Sequence, residues 1–223
     1  MTLLDGPRFG PASGGAPRQL VVLCHGLGAD GHDLIDLAPV WSRALPDAAF
    51  AAPDAPFPCD MGPPGITMGR QWFSVVDRTP ARLEAGIRPA AEALGGFLDA
   101  ELARLGLPAS AYALMGFSQG AMTALFAGLR RKVPPRAILA FSGALIAPQT
   151  LAAEITGRPP VLIVHGEADE VVPASRSREA AAALRAAGVP VEETYSPGLG
   201  HGIDDAGLSA GALFLQHAFA DGG

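Results

Sequence analysis

The sequence predicts an α/β fold, a mostly parallel central sheet with helices on both faces. Three observations carry this. Short apolar runs such as QLVVLCH at 19–25 and PPVLIVH at 159–165 lack polar alternation, as strands buried on both faces do. Between such runs lie stretches whose apolar residues recur at helical spacing. Finally, 28 glycines and 21 prolines punctuate the 223 residues without clustering. No linker or repeat stands out, so 1–223 reads as a single domain.

In chain order, 19–25 is a strand ending in Gly26. The spacing of Leu34, Ile35, Leu37, Ala38, Val40 and Trp41 predicts a helix over 32–45. A second strand covers 48–52. A long helix follows over 81–105, loosened at Gly95-Gly96, where glycine costs helix stability. A strand over 111–115 leads into an Ala- and Leu-rich helix over 119–129. Strands follow at 136–141 and 159–165. The helix over 174–187 ends at Gly188, a residue suited to the left-handed C′ position. A strand over 191–195 and a helix over 207–219 complete the pattern. In such sheets ligands sit beyond the carboxyl ends of the strands, so chemistry is sought there.

Composition excludes several classes. Hydrophobic residues at 49% and charged residues at 17% do not suit a disordered chain. A net charge of −6 lacks the basic footprint of a nucleic-acid binder, and the run Arg130-Arg131-Lys132 reads as the cationic end of a helix. No apolar stretch is long enough for a membrane span. Residues 1–15 have neither the apolar core nor the leading charges of a secretory signal. Cys24 and Cys59 are too few to staple the fold. The expectation is a soluble, cytoplasmic protein with free thiols; a homodimer is compatible with the sequence, which carries no signal for or against one.

The chemistry-bearing pattern is Gly116-Phe117-Ser118-Gln119-Gly120, a G-x-S-x-G. It falls between a strand and a helix, where a sharp turn lifts the Ser118 hydroxyl clear of the sheet. A serine hydroxyl needs a base to take its proton. Among His25, His32, His165, His201 and His217, only His201 lies in a glycine-rich loop between a strand and the last helix, free to reach over another strand's end. Three carboxylates, Glu167, Asp169 and Glu170, follow the 159–165 strand, and one of them would orient the imidazole. The order serine, acid, histidine differs from both protease orders. An oxyanion would be held by the Gln119 amide and by the Leu27 amide of the Gly-rich loop after the first strand. No G-K-S/T follows that loop, which disfavours a phosphate cradle. Asp30 and Asp33 read as turn and helix-start residues.

Together HGLGAD at 25–30, RQWF at 70–73, GFSQG at 116–120, HGEADEVVP at 165–173 and GLGHG at 198–202 resemble the carboxylesterase/acyl-protein thioesterase (phospholipase/carboxylesterase) family of α/β-hydrolases, over about 18–219. The resemblance implies an α/β-hydrolase fold with Ser118 as nucleophile, Asp169 as acid, His201 as base, and Leu27 and Gln119 as oxyanion donors. It implies no cofactor, no metal and a small-molecule ester or thioester substrate. It also implies a shallow apolar acyl groove, with Trp72 and Phe73 beside it unless they pack in the core. Leu145 and Val171 are expected to line that groove, which would favour neutral aliphatic acyl chains over charged ones. The loop 56–69, with Met61, Ile66 and Met68, is expected to shape it. The rival readings are perhydrolysis on the same residues and a binding module without turnover.

Overall fold

A computed structural model of the chain describes residues 4–62 and 69–220. Its main sheet has seven strands: β1 (Arg8–Phe9), β2 (Gln19–Cys24), β3 (Ala48–Ala51), and, after the small antiparallel pair β4 (Phe57–Pro58) and β5 (Arg70–Gln71), β6 (Tyr112–Phe117), β7 (Ile138–Phe141), β8 (Val161–Gly166) and β9 (Val191–Ser196). Their order is β1-β3-β2-β6-β7-β8-β9. Only the β1–β3 pairing at the edge is antiparallel; the other five run parallel. The chain leaves β2, forms β3 on one side, and returns past β2 to form β6 on the other. The switch point therefore lies at the carboxyl ends of β2 and β6, where such sheets bind ligands.

Both faces of the sheet are covered, which is why its strands show no polar alternation. Leu20, Val22, Leu114 and Ile138 face a core closed by α3 (Pro80–Leu105), α4 (Gln119–Gly128) and α6 (Ala174–Ala186). Val21, Leu23, Met115 and Leu139 face the opposite core, closed by Trp41 of α2 (Ala38–Trp41) and by Phe214 and Leu215 of α7 (Asp205–Ala220).

The expected helix over 32–45 is instead two short ones, α1 (Gly31–Ile35) and α2. Pro39 sits in the first turn of α2; it lacks an N–H, and its ring would clash with the carbonyl of Ile35 in a continuous helix. Conversely, α3 runs unbroken through Gly95-Gly96. Gly95 has a packing reason there, because a Cβ would lie 2.9 Å from the Arg131 guanidinium that bonds its carbonyl. The two-residue strands and α5 (Pro148–Glu154) have no periodicity long enough to read from sequence. No helix among the described residues is long and apolar enough to cross a membrane.

Candidate active site

Ser118 stands where β6 turns into α4, at φ 54° and ψ −117°. That left-handed backbone costs a non-glycine residue on the order of 1–3 kcal/mol. Its amide is anchored to the Phe141 carbonyl at 2.8 Å. Both glycines of the motif are sterically required. A Cβ on Gly116 would lie 2.3 Å from the Gly120 backbone, and one on Gly120 would lie 1.9 Å from the Cys24 carbonyl oxygen. The turn thus packs helix α4 directly onto the end of β2.

The three carboxylates after β8 separate cleanly. Glu167 is exposed and pairs with Arg178, and Glu170 is exposed. Asp169 is buried: its Oδ1 accepts from the Val171 and Val172 amides, both at 2.9 Å, and its Oδ2 accepts from His201 Nδ1 at 2.7 Å. Burial pushes the Asp169 carboxyl up, but the His201 ring and these two amides outweigh it and hold the group below its ordinary value. The His201 ring packs on Phe117, the residue before Ser118, with centroids 4.8 Å apart. Gly166 lets the His201 loop cross the end of β8, since a Cβ there would lie 2.3 Å from the Leu199 oxygen.

A second imidazole reaches Asp169. His165 Nε2 lies 2.8 Å from the Val172 carbonyl and 3.1 Å from Asp169 Oδ2, with both side chains fully buried. Both neighbours are acceptors, so Nε2 carries a proton. The other nitrogen meets Ser177 Oγ at 2.6 Å. His165 ends a strand in the sequence, which says nothing of this contact; its place four residues before Asp169 in one motif is the only available signal.

The expected oxyanion donors are held by neighbours. His25 Nε2 accepts the Ala55 amide at 3.0 Å, so its Nδ1 carries the hydrogen and donates to the Gly26 carbonyl at 2.7 Å. Burial lowers the pKa of this imidazole, consistent with the neutral form. The trans Gly26–Leu27 peptide therefore turns the Leu27 N–H away from that bond. Neither the Leu27 nor the Gln119 amide finds an acceptor among the described residues. The Gln119 side chain accepts from the Trp72 amide at 2.8 Å and donates to the Phe73 carbonyl at 2.7 Å.

Ser118, Leu27, Phe73, Met122, Ile146 and Val171 share one cavity of about 290 Å³. Two expected groove residues lie elsewhere. Trp72 is fully buried, its indole N–H bonded to the His25 carbonyl at 2.9 Å, so it braces the Gly26 loop from below. Leu145 faces an adjoining cavity of about 240 Å³. Ile146, the next residue, lines both cavities. Met61 is exposed and borders neither cavity; Ile66 and Met68 lie outside the described residues.

The family model for phospholipase/carboxylesterase matches residues 12–218. The chain belongs to the phospholipase/carboxylesterase family. Within it, the acyl-protein thioesterase 1 of Gibberella zeae is 28% identical over 213 residues, covering 88% of each chain. A probable inactive carboxylesterase of Oryza sativa is 29% identical over 208 residues, covering 87% of this chain and 82% of the relative. The crystal structure of esterase PE8 superposes with a TM-score of 0.90 at 41% identity, covering 97% of this chain and all of that one. The fold is accordingly that of the α/β-hydrolase esterases.

Proposed function

We propose that this family member is a serine hydrolase that cleaves carboxylic esters and acyl thioesters through an acyl-enzyme, with 1–223 acting as one catalytic domain. Ser118 Oγ attacks the carbonyl carbon as His201 Nε2 takes its proton. Asp169, bonded to His201 Nδ1, fixes the tautomer that leaves Nε2 free and stabilises the imidazolium. The oxyanion accepts from the Leu27 and Gln119 amides. His201 then returns the proton to the leaving alcohol or thiol, and water repeats the cycle on the acylated Ser118.

One observation carries this reading. A serine in strained left-handed backbone at a switch point shares a neighbourhood with a buried aspartate bonded at 2.7 Å to a part-exposed histidine. Because one relative is described as inactive, turnover is the point to test. With p-nitrophenyl butyrate, Ser118→Ala should lower kcat by about 10⁴- to 10⁶-fold while circular dichroism stays unchanged. Near-normal hydrolysis by the folded variant would overturn the assignment.

A further inference from the structure

Among the described residues, the cavity that holds Ser118 is bounded by two charged side chains, Arg78 and Arg176, and by no carboxylate. Asp169 is buried behind the wall and turned to His201. In a chain of net charge −6, the candidate site therefore carries a local charge of opposite sign. The same two arginines, together with Leu83 and Ile146, also wall the adjoining cavity, which adds one carboxylate, Glu179. Ser118 thus shares its cavity with two guanidinium groups and with the apolar side chains of Leu83 and Ile146.

These guanidinium groups differ from the others nearby. Arg88 and Arg130 share Glu154, and Arg131 pairs with Asp99. Arg78 makes one long bond, from Nε to the Val75 carbonyl at 3.3 Å, and no carboxylate approaches it among the described residues; its neighbour Asp77 pairs with Arg82 instead. Arg176 pairs with Glu179 at 3.1 Å, but both side chains are more than half exposed, so solvent screens the pair and the guanidinium can turn to a ligand at little cost.

We infer that Arg78 and Arg176 recognise an anionic group on the substrate, so that the preferred ester or thioester bears a carboxylate or phosphate a few bonds from the reacting carbonyl. This rests on the serine-hydrolase reading above and reverses the expectation of a neutral acyl chain. The methylenes between carbonyl and anion pack on Leu83 and Ile146, and the anion meets a fork of N–H donors suited to it. Because the site is open to solvent, the preference should weaken as salt screens it.

The test compares matched pairs by kcat/KM. On the acyl side, mono-p-nitrophenyl adipate is set against p-nitrophenyl hexanoate. On the leaving-group side, the hexanoyl thioester of mercaptoacetate is set against that of propanethiol. The anionic member of one pair should be favoured about tenfold, and the pair that responds tells which half of the substrate carries the charge. That ratio should fall several-fold in R78Q/R176Q, and in the wild-type enzyme at 1 M NaCl, a measurement that needs no variant. Since the readout is a ratio, a general loss of activity cancels. If neutral esters are hydrolysed but neither pair shows an anionic preference, or the double variant keeps it, this inference is overturned and the hydrolase reading stands. If no ester is turned over, both fall.

Discussion

At the scale of single residues, Asp169 is the most constrained group in the site, with three N–H groups bonded to its two oxygens and the His165 ring 3.1 Å from Oδ2. Asp169→Asn keeps the shape but favours the wrong His201 tautomer, and steady-state kinetics should show kcat lower by about 10⁴-fold. Glu167→Gln and Glu170→Gln, on exposed side chains, should each cost less than about tenfold. His165→Phe keeps a ring but removes the imidazole that lies 3.1 Å from Oδ2 and bonds the Val172 carbonyl beside it. The neutral bond lost is worth about 0.5–1.5 kcal/mol, so kcat should fall roughly two- to tenfold with KM little changed. An equal rise in KM instead would mean that His165 merely supports the groove. The sequence could single out Ser118 and His201 as candidates, because a strand-to-helix turn and a glycine-rich loop are local patterns. It could not separate Glu167, Asp169 and Glu170 without the resemblance, because which carboxylate turns inward depends on how β8 ends against the 198–202 loop. Trp72 misled for the same reason: an aromatic beside a groove and one beneath it look alike in sequence.

At the scale of elements, the turn from β6 into α4 is held by the close approach of α4 to β2. Gly120→Ala would drive a methyl into the Cys24 carbonyl, and overpacking against backbone should cost at least about 3 kcal/mol, seen as a large drop in Tm. Gly96 is the control. It lies inside α3, and a Cβ added there would have nothing within 4 Å, so Gly96→Ala should stabilise by about 0.5–1 kcal/mol. Opposite signs at these two glycines would be the expected pattern of thermal melts; equal effects would contradict it. Elements with long patterns were legible, among them β2, β8 and α6. Those decided by one residue were not: Pro39 divides a helix that the apolar spacing alone would continue, and α5 is too short to show a period.

At the scale of the molecule, the acidic chain is tied together by carboxylates held between arginines. Arg8 on β1 and Arg104 on α3 both bind the buried Glu101, joining the edge strand to the longest helix. Burial raises the Glu101 carboxyl, but these arginines overcome it and the group lies below its ordinary value. Glu154, bonded by Arg130 and Arg88, is lowered to about 2. Depressed carboxylates contribute stability that is present above the unfolded value near 4.5 and is lost as pH falls through the folded one. Urea midpoints should therefore hold from pH 7 to about 5 and drop toward pH 2, and Glu154→Gln should flatten part of that fall. The parallel sheet itself was legible from its unalternating strands. The strand order was not, since it depends on which side of β2 the chain returns to, and that choice brings the Leu27 loop beside Ser118.

The whole mechanism turns on Ser118 being a nucleophile that becomes covalently acylated. The most direct measurement is intact-mass spectrometry after exposure to a fluorophosphonate, with peptide mapping of the adduct. One adduct per chain is expected, on Ser118, absent from Ser118→Ala and formed at least about 10³-fold more slowly in His201→Ala. An adduct on another residue, or labelling of Ser118→Ala at the wild-type rate, would contradict it.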